Sequence, residues 1–373
     1  MNNLVQPPYR RAFGALGREA SRAFDRLSHA VEWHQTGTMM STAKAPYRLV
    51  HQDVDLSIMH FRSSQALVHS TPVLLIPPLG VTPEIYDLRP EHSFVRALLN
   101  AGLDLYMIDF GVPDLSDRQK ALTDYAMRLL PQAIDITLTD SGTPSLSLVG
   151  YSMGGVMALL YAGDEGKTAP VDALVTVGSP IDMRGLFPWD RVISLARREL
   201  DAVVATFGVL PPQLMRLGFR LSAPFKTVTV YRDLMVNMWN REWIVSYEAI
   251  NSWIDTFIPF PGDAMRQFFH FIEGNRIVEG TIPSRSGEFS LARIEQPLLC
   301  IAGTSDSIVP ERAVERTIEL VSSSEKRYVS VPGGHIGIIG GSRASSTTWK
   351  EIGDWLPGLS GPLRAPRPFG ASA

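Results

Sequence analysis

Gly150-Tyr151-Ser152-Met153-Gly154 lies between an apolar run, Leu146 to Val149, and a helix-like run, Val156 to Ala162. A Gly-x-Ser-x-Gly pentapeptide in that setting reads as a nucleophile elbow: a serine on a tight strand-to-helix turn that lifts its hydroxyl clear of the sheet. Flanking glycines let strand and helix backbones pass closely, and Gly155 adds a further small residue where the helix crosses the strand. The turn also aims the Met153 amide, at a helix N-terminus, toward any oxyanion formed beside the hydroxyl. The competing reading of the pentapeptide alone is a glycine-rich packing turn. Strand before and helix after favour the elbow.

On both sides of the elbow, strand and helix patterns alternate. Upstream come two short β candidates, Tyr47 to His51 and Val54 to Phe61. They are followed by a strand at Pro72 to Ile76, a helix at His92 to Ala101, a strand at Leu103 to Ile108, a helix at Ala121 to Leu138 and a strand at Ser145 to Val149. Downstream lie strands at Val171 to Val177, Pro297 to Ala302 and Lys326 to Val331, with helices at Glu311 to Ser322 and Ser342 to Trp355. Apolar strands separated by helices imply a mostly parallel sheet covered on both faces. The order fits an α/β-hydrolase fold of the α/β class, with the serine after the fifth strand.

The core is expected at 46–180 and 294–357, with a helical lid at 181–293, an N-terminal helical extension at 1–45 and an irregular tail at 358–373. The lid segment is dense in aromatic residues, among them Phe187, Trp189, Phe207, Phe219, Phe225, Tyr231, Trp239, Trp243, Trp253, Phe257, Phe260, Phe268 and Phe269. They can form the lid's own core, an apolar tunnel for an acyl chain, or both. Ala12 to Glu32 reads as an amphipathic helix with Phe13, Leu16, Ala20, Phe24, Leu27 and Val31 on one face. The plainer expectation is a helix packed on the body; the sharper one is contact with a membrane, a granule or a partner.

The chain of 373 residues is 45% hydrophobic and 20% charged, with a formal net charge of −3. That is ordinary globular composition, and so balanced a charge gives no electrostatic case for nucleic acid. The single cysteine, Cys300, sits in an apolar strand run; it reads as a core residue and fits a reducing, cytoplasmic compartment. No apolar stretch is long enough to span a bilayer. No histidine or cysteine cluster has metal-ligand spacing and no phosphate-binding loop is present, so neither metal nor cofactor is expected.

A serine nucleophile needs a base within hydrogen-bond reach and a group to orient that base, in the chain order Ser, acid, His for this fold. Of the eight histidines, His29, His34, His51, His60, His69 and His92 precede the serine, and His270 lies in the lid. His335, in Val331-Pro-Gly-Gly-His335-Ile-Gly337, follows the last strand and is the expected base. Asp306, in Gly303-Thr-Ser-Asp306, is the preferred acid, with Asp182 in Gly178-Ser-Pro-Ile-Asp182 as the alternative. The second oxyanion donor, beside Met153, should come from Pro77-Pro78-Leu79-Gly80: Leu79 or Gly80, since proline has no amide hydrogen.

Several segments together resemble the catalytic subunit of polyhydroxyalkanoate synthases, the short class III form above all. They are Asp87-Leu-Arg-Pro-Glu-His-Ser93, the Phe94 to Tyr106 stretch, Asp109-Phe-Gly-Val-Pro-Asp114, Arg266-Gln-Phe-Phe269, Gly274-Asn-Arg-Ile-Val-Glu-Gly280 and Gly333-Gly-His335-Ile-Gly337. The resemblance implies acyl transfer from hydroxyacyl coenzyme A thioesters into a polyester. It also implies action with a second subunit, with a homodimer as the other arrangement, and association with lipid or polyester granules. Two positions depart from that family. Ser152 stands where it has cysteine, and Ser307 follows the acid where it has histidine. The first departure shifts the expectation toward hydrolysis of an ester or thioester, with polymerisation and a non-catalytic granule protein as the alternatives.

Overall fold

The computed structural model describes residues 8–36, 38, 40–41, 43–62, 67–186, 189–221, 232, 234–287 and 289–367. Its centre is an eight-stranded sheet. The strands are β1 (Tyr47–Gln52), β2 (Ser57–Phe61), β4 (Val73–Ile76), β5 (Leu105–Asp109), β6 (Leu146–Tyr151), β7 (Val171–Val177), β10 (Leu298–Gly303) and β11 (Lys326–Val331), in the spatial order β1-β2-β5-β4-β6-β7-β10-β11. β2 runs antiparallel to both β1 and β5, and the remaining neighbours pair in parallel. β4, β6 and β10 are buried along their whole length because helices cover both faces, whereas β1 and β11 at the edges carry exposed residues. Cys300 lies on β10 with no exposure; burial pushes its thiol up to about 12, and its Sγ accepts from the Thr176 hydroxyl. It is a core residue.

Between β5 and β6 the expected single helix is interrupted. A π-turn at Tyr125–Leu129 leads into α3 (Leu130–Ser141), after an α1 helix at Pro8–Thr36 and α2 at Phe94–Asn100. Pro131 has no N–H to give the Met127 carbonyl four residues back, and the Arg285 guanidinium donates to that carbonyl instead. After the elbow comes α4 (Met153–Glu165), buried over most of its length.

Residues 181–293 add α5 (Trp189–Phe207), α6 (Pro212–Leu221), α7 (Arg241–Asp255) and α8 (Gly262–Gly274), with a two-residue ladder between β8 (Val209–Leu210) and β9 (Phe260–Pro261). Phe187, Phe225 and Tyr231 lie outside the described residues. The fully buried Arg89 guanidinium ties α7 down through Glu242 and the Ser246 hydroxyl. The chain closes with α9 (Glu311–Leu320) and α10 (Thr348–Leu359).

One expectation needs correction. The tail does not become irregular at 358: α10 runs on through Pro357, and β12 (Pro362–Arg367) then pairs antiparallel with a short β3 (Leu67–His69). The helix α1 does rest on the body, but through polar groups. His29 donates to the Met238 carbonyl, Glu32 pairs with Arg241, and Arg22 sits over the Trp239 ring. Phe24 is 72% and Leu27 67% exposed, so the apolar stripe over this stretch faces away from the body.

Among the described glycines Gly154 leaves the least room, since a Cβ there would stand 2.0 Å from the Ile76 carbonyl oxygen. Backbone cannot yield as a flexible side chain can. Gly154→Ala should therefore cost about 2 kcal/mol or more of stability, read as a lower urea midpoint at unchanged slope; a native midpoint would contradict the packing described.

Candidate active site

Strand ends β4, β6, β10 and β11 bring the chemistry-bearing loops to one side of the sheet, the carboxyl edge of its parallel strands. Ser152 follows β6 and holds φ 53° and ψ −120°. Among the described residues, Asn275 is the other non-glycine with positive φ. Holding a serine there costs about 1–3 kcal/mol, and the surroundings enforce it. A Cβ on Gly150 would lie 2.4 Å from Gly155, and one on Gly155 would lie 2.1 Å from the Ser179 hydroxyl. The Ser152 amide is bonded to the Val177 carbonyl, which leaves its side chain to project from the sheet.

His335 Nε2 lies 2.9 Å from Ser152 Oγ, and His335 Nδ1 lies 2.7 Å from Asp306 Oδ2. Asp306 Oδ1 accepts from the amides of Ile308 and Val309, so the carboxylate is fixed from both sides. Both Asp306 and His335 are buried. Glycines let their loops meet. A Cβ on Gly303 would stand 2.6 Å from the Gly333 carbonyl, and one on Gly178 would stand 3.3 Å from the imidazole ring. The alternative acid, Asp182, is turned elsewhere, accepting from the Asn275 side chain and the Arg184 amide. Ser307 is exposed beside Asp306.

Leu79 and Met153 line the same cavity as Ser152. The first intrahelical bonds of α4 are those of Gly155 and Val156 N–H to the Ser152 carbonyl, so the Met153 amide precedes the ladder. Gly80 sits a step back from the cavity, at φ 77°, where a Cβ would press on Phe260, and its carbonyl accepts from the Ile258 amide. Leu79 is thus the better placed of the two loop candidates.

The cavity holds about 460 Å³. Besides Ser152, His335 and Tyr151, its lining is apolar: Pro78, Leu79 and Val156 from the core, and Leu200, Leu210, Met215, Phe219, Trp253, Phe257, Phe260, Phe268 and Phe269 from the segment above. The aromatic residues therefore divide. Phe207 is exposed, Trp243 stacks on Tyr247, and six of the others wall the cavity. Among the described residues, no three His, Cys, Asp or Glu side chains cluster so as to hold a metal ion, and no helix is long and apolar enough to cross a membrane.

Tyrosines that the sequence did not single out complete the site. Tyr151 Oη donates to the His335 carbonyl, and its ring lies 5.2 Å from the imidazole. Burial, and then the charge of Asp306, push the Tyr151 phenol well above its usual range, which keeps it a donor. Tyr86 Oη donates to the Ile76 carbonyl and accepts from the Tyr151 amide. Two of the segments that resemble the synthases, Asp87–Ser93 and Arg266–Phe269, serve as braces. Asp87 accepts from the Ala45 amide, His92 Nε2 donates to the Gly341 carbonyl, and Gln267 accepts from the Thr123 amide.

The family description of the alpha/beta hydrolase fold matches residues 71–342. The chain is 29% identical over 342 residues to the poly(3-hydroxyalkanoate) polymerase subunit PhaC of Haloferax mediterranei, covering 91% of this chain and 69% of that one. To the same subunit of Allochromatium vinosum it is 26% identical over 337 residues, covering 89% and 94%. A monoglyceride lipase from Saccharomyces cerevisiae, solved with a substrate analogue, superposes with a TM-score of 0.55 at 14% identity, over 87% of this chain and 98% of that one. The lipase likeness speaks for the fold. With Ser152, His335 and Asp306 in line on such a sheet, the chain belongs to the α/β hydrolase fold family and is an enzyme of its esterase and acyltransferase kind.

Proposed function

We propose that this enzyme hydrolyses esters or thioesters of apolar acyl or hydroxyacyl groups through an acyl-serine at Ser152. The observation that carries the proposal is the unbroken line from Asp306 through His335 to Ser152, at 2.7 and 2.9 Å. His335 Nε2 takes the hydroxyl proton as Oγ attacks the acyl carbonyl, and Asp306 holds Nδ1–H and stabilises the imidazolium. The amides of Met153 and Leu79 receive the charge on the tetrahedral oxygen. Collapse breaks the bond to the leaving group, which takes the proton from Nε2. Water then gives a proton to His335 Nε2 as it attacks the ester, and when the acyl–oxygen bond breaks His335 returns that proton to Ser152 Oγ, releasing the acid and restoring the hydroxyl.

Serine in place of cysteine decides between hydrolysis and chain growth in this reading. A thioester on cysteine keeps the energy of a coenzyme A thioester and departs readily when an alcohol attacks. An ester on serine is more stable and leaves only with full help from the base, so water is a competent acceptor. Polymerisation from 3-hydroxyacyl coenzyme A is the second reading, favoured by the names of the relatives. No cofactor enters either reading, coenzyme A being part of a substrate. A second subunit or a homodimer, and attachment to a lipid or polyester granule, belong to the proposal as well. The exposed Phe24, Leu27 and Val31 of α1 offer a surface for such contacts.

The apolar walls predict a steep dependence on chain length. Burial contributes about 0.8 kcal/mol per methylene, so kcat/KM for nitrophenyl esters should rise up to about fourfold per added methylene until the cavity is full. A flat series would count against the cavity as the acyl site. Chromatography of products from nitrophenyl esters and from 3-hydroxyacyl coenzyme A should yield free acid; polymer or oligomer as the main product would overturn hydrolysis. Asp306→Asn should lower kcat about 10³- to 10⁴-fold with little change in KM, whereas near-native kcat would remove Asp306 from the relay.

A further inference from the structure

The β4–β6 ladder ends at the pair Ile76 and Gly150, whereas β6 continues one residue further against β7, where Tyr151 pairs with Val177. On its β4 side, the Tyr151 amide has therefore run past the last ladder pair. A single oxygen takes its bond there. Tyr86 Oη accepts from the Tyr151 amide at 3.1 Å and donates to the Ile76 carbonyl at 2.8 Å. The end of β4 and the end of β6 are thus joined through a hydroxyl, not through a direct backbone bond. An inserted oxygen holds the two strand ends apart at the point where the carboxyl edge must open to admit the elbow. The Ile76 carbonyl oxygen is also the atom that a Cβ on Gly154 of α4 would meet first.

Those contacts place Tyr86 at a junction of two chemistry-bearing segments. Downstream of Ile76 the chain runs through two prolines, which donate nothing, to Leu79. Downstream of Tyr151 come Ser152 and Met153. The spacing of the two oxyanion donors is then set by how far apart Ile76 and Tyr151 are held. From Tyr151 the link continues, since its own hydroxyl holds the His335 carbonyl.

Tyr86 has the reach and rigidity for such a spacer. It ends the short 3-10 turn Pro83–Tyr86, has no exposure, and its ring packs on Phe94 with centroids 5.9 Å apart. Burial raises its phenol above the usual range, so the oxygen stays protonated and keeps both bonds.

We propose that Tyr86 is a positioning residue of the reaction, its hydroxyl wedging β4 and β6 apart so that the Leu79 and Met153 amides converge on the oxyanion. The proposal rests on the reading of Ser152 as the acylated nucleophile. Tyr86→Phe should fold, keep KM within about twofold, and lose about 10- to 100-fold in kcat, the range for a modest misplacement of catalytic groups. A trifluoromethyl ketone, which forms a tetrahedral adduct with the serine, should lose affinity in step with kcat/KM. Phe94→Leu removes packing from the same ring but keeps the hydroxyl; it should lower Tm while kcat stays within about threefold.

Native kcat in folded Tyr86→Phe, a loss confined to KM, or an equal fall in kcat for Phe94→Leu would each overturn the proposal. Should Tyr86→Phe not fold, the native protein decides. The Tyr151 amide should be among the slowest to exchange with deuterium, and exchange within minutes would contradict the bond to Tyr86. Failure of the underlying reading has a different signature, since native enzyme would then not react with the ketone at all.

Discussion

Helix α4 can approach the end of β4 to contact distance because Gly154 presents no side chain to the Ile76 carbonyl. The rest of the site follows from that approach. It turns the chain through the strained backbone at Ser152 and stands the hydroxyl above the carboxyl edge of the sheet. It also brings the start of the Pro77-Pro78-Leu79 loop beside the first turn of the helix. Ser152 and the amides proposed as oxyanion donors therefore come from a single packing event, and the strain at Ser152 is held in place by glycine contacts at 150 and 155 that a methyl group would break.

The relay is built separately and delivered to the same place. β10 and β11 pair in parallel up to Gly303 and Val331, and the loops beyond them carry Asp306 and His335. Backbone amides of Ile308 and Val309 fix one oxygen of the acid, and the imidazole takes the other. From α5 to α8, apolar side chains roof this arrangement; in the proposed reaction they would separate a substrate's acyl part from water while its carbonyl meets the polar groups. Such a roof selects for hydrophobic length more than for functional groups on the chain.

The parts of this architecture that were legible in the sequence share a property: their signal is local. The elbow is a pentapeptide in context, and His335 is the histidine that follows the last apolar run. Asp306 is preferred to Asp182 in the sequence because it also precedes Pro310, at the start of a helix, and the structure shows Asp182 bonded to Asn275 instead. What could not be read depends on contacts between distant segments. Tyr86 meets Ile76 and Tyr151, 10 and 65 residues away, through backbone atoms that leave no trace in residue type. The β3–β12 pair leaves no such signal, because β3 has three residues and β12 contains prolines, so neither shows the alternation expected of a strand. The π-turn is explained by Pro131 only once Arg285 is known to replace the missing donor. The apolar stripe of α1 identifies a helix but does not say which face meets the body, and at Phe24 and Leu27 it faces away.

The central claim is that Ser152 becomes acylated during turnover. The direct measurement is mass spectrometry of the enzyme quenched in acid while it consumes a nitrophenyl ester, followed by peptide mapping. The expected result is one acyl group on the peptide containing Ser152, absent from Ser152→Ala. Turnover with no acylated species, or an acyl group retained by Ser152→Ala at another residue, would contradict it.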